Sequence, residues 1–65
     1  MKFKDKLKYL RKEKGLSQEL LCKELYISRG GYMAYERGKT EPNRITLLRM
    51  AEVFDKSLDY IMRDE

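Results

Sequence analysis

Apolar residues recur along this chain at helical intervals in five separate runs, divided by residues that start or stop helices. Phe3, Leu7 and Leu10 stand at i, i+4 and i+7, one helical face, with Lys4, Lys6, Lys8, Lys12 and Lys14 largely on the others. Gly15 supplies the left-handed residue that ends such a segment, so the pattern predicts a first helix over 3–14. Ser17 is a good N-cap and Glu19 sits favourably in the first turn, while Leu21, Cys22 and Leu25 form the apolar face of a second helix over 17–25. Tyr26 and Ile27 make a short connection to Ser28, another capping residue. A third helix is predicted over 28–37, with Tyr32 and Tyr35 pointing the same way and Gly38 closing it. Gly30 and Gly31 each cost that helix about 1 kcal/mol against alanine, so it must lean on tertiary contacts.

Pro42 biases Glu41 away from helical angles, which makes GKTEP a loop, and Asn43 can cap the next helix. Ile45, Leu48, Ala51 and Phe54 mark this fourth helix over 43–54, with Leu47 and Met50 widening its stripe; Ser57 starts a short fifth helix over 57–63 that carries Leu58, Ile61 and Met62. No run alternates as a strand would, and the connections are too short for a crossover. The expectation is an all-α fold of five helices in a single domain, 1–65. Two short helices joined by a three-residue turn let one brace while the next projects its N-terminal end into a DNA major groove about 12 Å wide. By periodicity alone, an α-hairpin with no nucleic-acid role fits as well.

Sixty-five residues limit the chain to one domain, with no separate ligand-binding or catalytic unit expected. The net charge of +4 is unevenly spread: residues 1–15 hold seven basic and two acidic groups, 16–44 five and four, and 45–65 three and five. A basic first half and an acidic end suit a protein that lays one face on a polyanion, although a solvated, lysine-rich first helix gives the same balance. With one cysteine and no histidine, neither an internal disulfide nor a metal-ligand cluster is expected, and a reducing setting fits. Lysines interrupt the apolar residues of MKFKDKLKYL, so it lacks the apolar core of a signal peptide, and no run of about 18 apolar residues exists. The expected protein is cytoplasmic, with no membrane partner, cofactor or small-molecule site. An enzyme has little support, since there is no glycine-rich phosphate loop and Cys22 has no base to pair with.

The residues themselves go further. LSQELLCKELYISRGGYMAYERGKTEP resembles the helix-turn-helix of the Cro and phage-repressor family, the Xre-like transcriptional regulators. Leu16, Ser17 and Gln18 match the family's LSQ opening, Leu21, Leu25 and Ile27 its core positions, and Ser28 and Arg29 the start of its recognition helix. Glu36, Arg37 and Gly38 match its ERG signature, followed by Pro42, and TLLRMAEVFDKSLDYI is similar to its last two helices. The resemblance covers about residues 4 to 62 and implies a five-helix lambda-repressor-like DNA-binding domain. It implies that Gln18 anchors a phosphate and braces the recognition helix, and that Arg11 and Glu36 form a partly buried, structural ion pair. Arg29 is the candidate base reader, matching guanine O6 and N7, with a phosphate clamp as the competing role. Ser28, Lys39 and Thr40 are candidates for backbone contacts, Gly30 for close approach, and Tyr32 and Met33 for further readout; Arg37, Lys14 and Arg44 are weaker candidates.

The chain departs from the family pattern in four places. Tyr26 stands where the turn usually has glycine, so either it adopts a positive φ or the turn differs. Gly30, Gly31 and Ala34 replace long polar readers, which leaves Arg29 nearly alone and calls for indirect readout of DNA shape. Cys22 replaces a small residue and is read as a buried apolar group rather than a redox switch. Arg44 and Ile45 reverse the usual order at the fourth helix's start. Such proteins commonly pair to reach half-sites about 34 Å apart, and Met50, Val53, Tyr60, Ile61 and Met62 are the candidates for a homodimer seam, with a place in the core as the alternative for all five in so small a domain. The expected function is that of a transcriptional regulator, a repressor acting as a dimer on double-stranded DNA, with activation equally compatible with the sequence; the alternative is an antitoxin-like or adaptor protein whose main partner is another protein.

Overall fold

A computed structural model describes residues 1–63 and contains five helices: α1 Phe3–Glu13, α2 Gln18–Leu25, α3 Arg29–Glu36, α4 Arg44–Phe54 and α5 Leu58–Met62. The starts arise from local chemistry. Ser17, Ser28, Asn43 and Ser57 hold extended backbone angles, and their side-chain oxygens accept from the amides of Leu20, Gly31, Thr46 and Tyr60 at 2.9–3.1 Å. Each cap lies just outside its helix, which is why α2 to α5 begin one residue later than the apolar pattern suggests. The reversed order at Arg44 and Ile45 leaves α4 starting at Arg44, directly after its Asn43 cap.

Four helix ends turn through a left-handed residue. Gly15 and Gly38 do so at φ 72° and 75°, but Tyr26 and Asp55 do so at 57° and 55° with a full side chain. The Ile27 amide donates to the Cys22 carbonyl and the Lys56 amide to the Ala51 carbonyl, closing α2 and α4 in the 6→1 pattern of such ends. A left-handed non-glycine residue costs about 1–2 kcal/mol. At Tyr26 a long-range tie offsets this: the ring lies 4.8 Å from the Arg49 guanidinium, and Arg49 Nη1 donates to the Leu25 carbonyl at 3.2 Å. The departure from glycine therefore keeps the turn and adds a cation–π link from α2 to α4.

The core consists of Leu7, Leu10, Leu21, Cys22, Leu25, Tyr32, Met50, Phe54 and Ile61. Three expectations need correction here. Met50 and Ile61 are 0% and 2% exposed, so neither is free for a dimer seam; Val53 and Tyr60 are half-buried and Met62 is exposed. The inward stripe of α4 is Thr46, Met50 and Phe54, whereas Ile45 and Leu48 are 61% and 42% exposed. Overlapping apolar stripes allow either rotation, and the positions of α2 and α5 decide between them. Finally, Lys6 is not on a solvated face. It is buried, its Nζ donates to the carbonyls of Tyr60 and Arg63 at 2.7 and 2.6 Å, and it lies 4.5 Å from the Tyr60 ring centroid.

Lys6 thus carries a positive charge to the carbonyl end of α5, where the helix dipole favours a cation. Lys6→Met is expected to destabilise the domain by about 1.5–3 kcal/mol, the worth of hydrogen bonds to a charged group, and to speed amide exchange in α5. Urea unfolding with hydrogen exchange tests it; unchanged exchange at Ile61 and Met62 would show that Lys6 does not hold α5.

Candidate nucleic-acid interface

The orientation of α3 is set by a carboxylate at its own C-terminal end. Glu36 is buried, with Oε2 accepting from Arg11 Nε of α1 at 2.8 Å and from the Tyr32 hydroxyl, and Oε1 accepting from Gln18 Nε2 of α2 at 3.0 Å. Arg11 also donates from Nη1 to the Leu16 carbonyl at 3.1 Å, which ties the α1–α2 turn into the same network. Burial alone would raise the Glu36 carboxyl, but the hydrogen bonds from Tyr32, Arg11 and Gln18, with the Arg11 charge, outweigh it and hold the carboxyl below its usual range. Burial and the Glu36 hydrogen bond push the Tyr32 hydroxyl upward, so it stays a neutral donor. Three helices meet at one anion, so α3 has little freedom to rock.

This frame presents the other side of α3 outward. Tyr32 is 0% exposed and stands edge-on to Tyr35, 6.5 Å between centroids, so it is removed from the residues that reach a ligand. At about 100° per residue the opposite stripe is Gly30, Met33, Ala34 and Arg37. Arg29, Gly30 and Arg37 are exposed, and Met33 and Ala34 are half-buried. Arg29 extends from the first turn of α3 with no ion pair or hydrogen bond to any described residue. Ser28 is exposed, with its hydroxyl engaged in the cap; Lys39 and Thr40 are exposed in the loop after α3, and Lys14 and Arg44 are exposed further away. Gln18 is half-buried and uses one Nε2 hydrogen on Glu36, leaving the second as a donor.

Periodicity missed the contribution of the N-terminus. Lys2 and Lys4 join Arg37, Gly38, Thr40 and the acidic Glu41 around an open groove of about 480 Å³ beside the end of α3, with Phe3, Tyr35 and Met62 as its apolar lining. Lys4 packs so closely over Gly38 that a Cβ there would lie 3.0 Å from its Cδ. The basic start of the chain is thus placed next to the α3–α4 loop, extending the cationic rim of α3. A signal existed in the charge asymmetry of residues 1–15, but it carried no direction.

A family model described as helix-turn-helix matches residues 7–61, which include the bracing helix α2, the turn and α3. The chain belongs to the helix-turn-helix family. It is 41% identical over 63 residues to the HTH-type transcriptional regulator YqaE of Bacillus subtilis, covering 97% of this chain and 54% of that protein. It is 37% identical over its full length to the HTH-type transcriptional activator BcrR of Enterococcus faecalis, covering 32% of that protein. The helix-turn-helix chain therefore spans about half the length of the first relative and about a third of the second. Among solved structures, the P22 c2 repressor in complex with synthetic operator 9T superposes with a TM-score of 0.91 at 26% identity, covering 100% of this chain and 98% of that one. The five-helix fold is lambda-repressor-like, and the fold and relatives are those of DNA-binding transcriptional regulators, not of enzymes. None of the described helices is long and apolar enough to cross a membrane.

Proposed function

We propose that this domain binds double-stranded DNA by laying α3 in the major groove, and that the protein works in the cytoplasm as a homodimer that represses transcription by occupying an operator. The observation that carries the reading is the exposed, unpaired Arg29 at the first turn of a helix held to α1 and α2 through Glu36. Arg29 contacts a guanine edge, Arg37, Lys39 and Thr40 contact phosphates, and Gln18 offers its free amide hydrogen to the phosphate beside the start of α2. The likeness to an operator-bound repressor supports both the docking mode and repression. Pairing uses the exposed Met62 with the half-buried Val53 and Tyr60. Sedimentation at high micromolar concentration, with and without DNA, tests the dimer, and a monomer mass in both refutes it.

Selection of bound sites from random DNA, followed by titration at rising salt, tests the DNA reading. A log–log slope of about −0.9 per phosphate contacted is expected; flat or undetectable binding favours a protein partner instead. On the selected site Arg29→Ala is expected to lose about 1–3 kcal/mol and to relax preference at one base pair. An equal loss on every sequence would make Arg29 a phosphate contact.

A further inference from the structure

The outward stripe of α3 opens on a residue without a side chain. Gly30 stands about 200° around the helix from buried Tyr32, and Met33, Ala34 and Arg37 follow it on the same face at i+3, i+4 and i+7. Among the described residues, neither space nor backbone angle asks for glycine there. Its φ lies outside the left-handed region, and a Cβ added to it meets no atom within 4 Å. Gly31 is different: a Cβ there would lie 3.1 Å from Ser28 Oγ, the atom that caps α3, so that glycine has a reason within the fold. Glycine stabilises a helix less than alanine does, and α3 has only eight residues. Neither backbone angle nor crowding among the described residues therefore offsets the destabilisation at Gly30.

We infer that Gly30 is the point of closest approach between α3 and the floor of the major groove: an operator base edge fills the open space beside it, and the missing Cβ determines which base pair can stand there. The inference rests on the DNA-binding reading above and assigns to Gly30 a specificity role that a long polar reader would otherwise have. Without a side chain at this position the helix axis settles deeper in the groove. Arg29, one residue before, and Arg37, seven residues after, are then lowered together toward the bases and the strands on either side. On the selected site, where α3 is seated against the bases, a methyl group at position 30 would meet the base edge and lift both.

Gly30→Ala separates this role from any role in the fold. The site selected by the wild-type protein and a random duplex serve as probes, read by fluorescence anisotropy at fixed salt, with Tm followed by circular dichroism. Tm is expected to rise by about 2–8 °C, because alanine fits the backbone and restricts the unfolded chain. Affinity for the selected site is expected to fall by about tenfold or more while affinity for random DNA is nearly unchanged, and reselection with the variant should change the preferred base at one position. Four results overturn the inference. Affinity for the selected site within about threefold of wild type leaves no contact at Gly30. A lowered Tm means that the glycine serves the fold, and an equal loss on both duplexes places a phosphate, not a base edge, against it. Failure of the wild-type protein to bind any duplex at about 50 mM salt removes the DNA-binding reading itself, and this inference with it.

Discussion

Glu36→Ala is expected to destabilise the domain by about 3–5 kcal/mol, the cost of breaking a buried pair by removing one partner. At roughly 4–8 °C of Tm per kcal/mol in a domain of this size, the variant would melt at least about 12 °C below wild type. The groups left behind account for the size. The Arg11 guanidinium, the Tyr32 hydroxyl and the Gln18 amide all donate to this one carboxylate, whose side chain is 6% exposed. Removing it strands a cation and two donors in a space that water barely enters, and each unsatisfied donor carries its full desolvation penalty. Glu36→Gln keeps the shape and one acceptor but loses the charge, so a smaller loss is expected. An unchanged Tm for Glu36→Ala would refute the network as a source of stability.

The same carboxylate sets a pH dependence. Its folded value lies below the ordinary glutamate value of about 4.3, so its contribution is fully present above that value and is lost as pH falls through the folded one. Tm of the wild type should therefore fall as pH drops from about 5 into the acid range, and the fall should be shallower in Glu36→Gln. Parallel curves for the two proteins would mean that Glu36 does not contribute to acid sensitivity.

The parts of this molecule that were legible in its sequence are the parts whose causes are local. Ser17, Ser28, Asn43 and Ser57 announce four helix starts because a capping oxygen needs only an amide three residues on. The rotation of α4 was not legible, because Ile45–Leu48 and Thr46–Met50 are both acceptable helical stripes and only neighbouring helices choose between them. Lys6 was misplaced for a related reason: its acceptors lie 54 and 57 residues away, and a lysine among lysines carries no mark of burial. The net cost of a left-handed Tyr26 likewise depends on Arg49, a contact that no local pattern encodes. At the interface, the stretch from Ser17 to Gly38 could be read as brace, turn and outward helix. The Arg11–Glu36 contact entered through family resemblance alone, since its partners are 25 residues apart and share no periodicity. Composition suggested a basic face but not that Lys2 and Lys4 border the end of α3.

Tyr32 gives the second large effect and separates core from interface most cleanly. Tyr32→Ala is expected to lose about 3–5 kcal/mol, since it empties a fully buried aromatic site and removes a donor to Glu36. Tyr32→Phe keeps the ring and its edge-on contact with Tyr35 while deleting only the hydroxyl, so the loss should be about 1.5–3 kcal/mol, the range for a hydrogen bond to a charged acceptor. If the ring faces the core as the geometry has it, Tyr32→Phe should bind the selected DNA within about twofold of wild type under conditions where both are folded. A residue that touches bases would lose affinity in the phenylalanine variant without losing stability. Each role therefore moves a different measurement: denaturation reports the hydroxyl's bond to Glu36, and binding reports whether the hydroxyl touches DNA. Because Glu36 also loses a donor in Tyr32→Phe, its carboxyl should titrate closer to the ordinary glutamate value, and the acid limb of the Tm profile should become shallower in step. A variant with wild-type stability at both neutral and acid pH would detach the Tyr32 hydroxyl from the network.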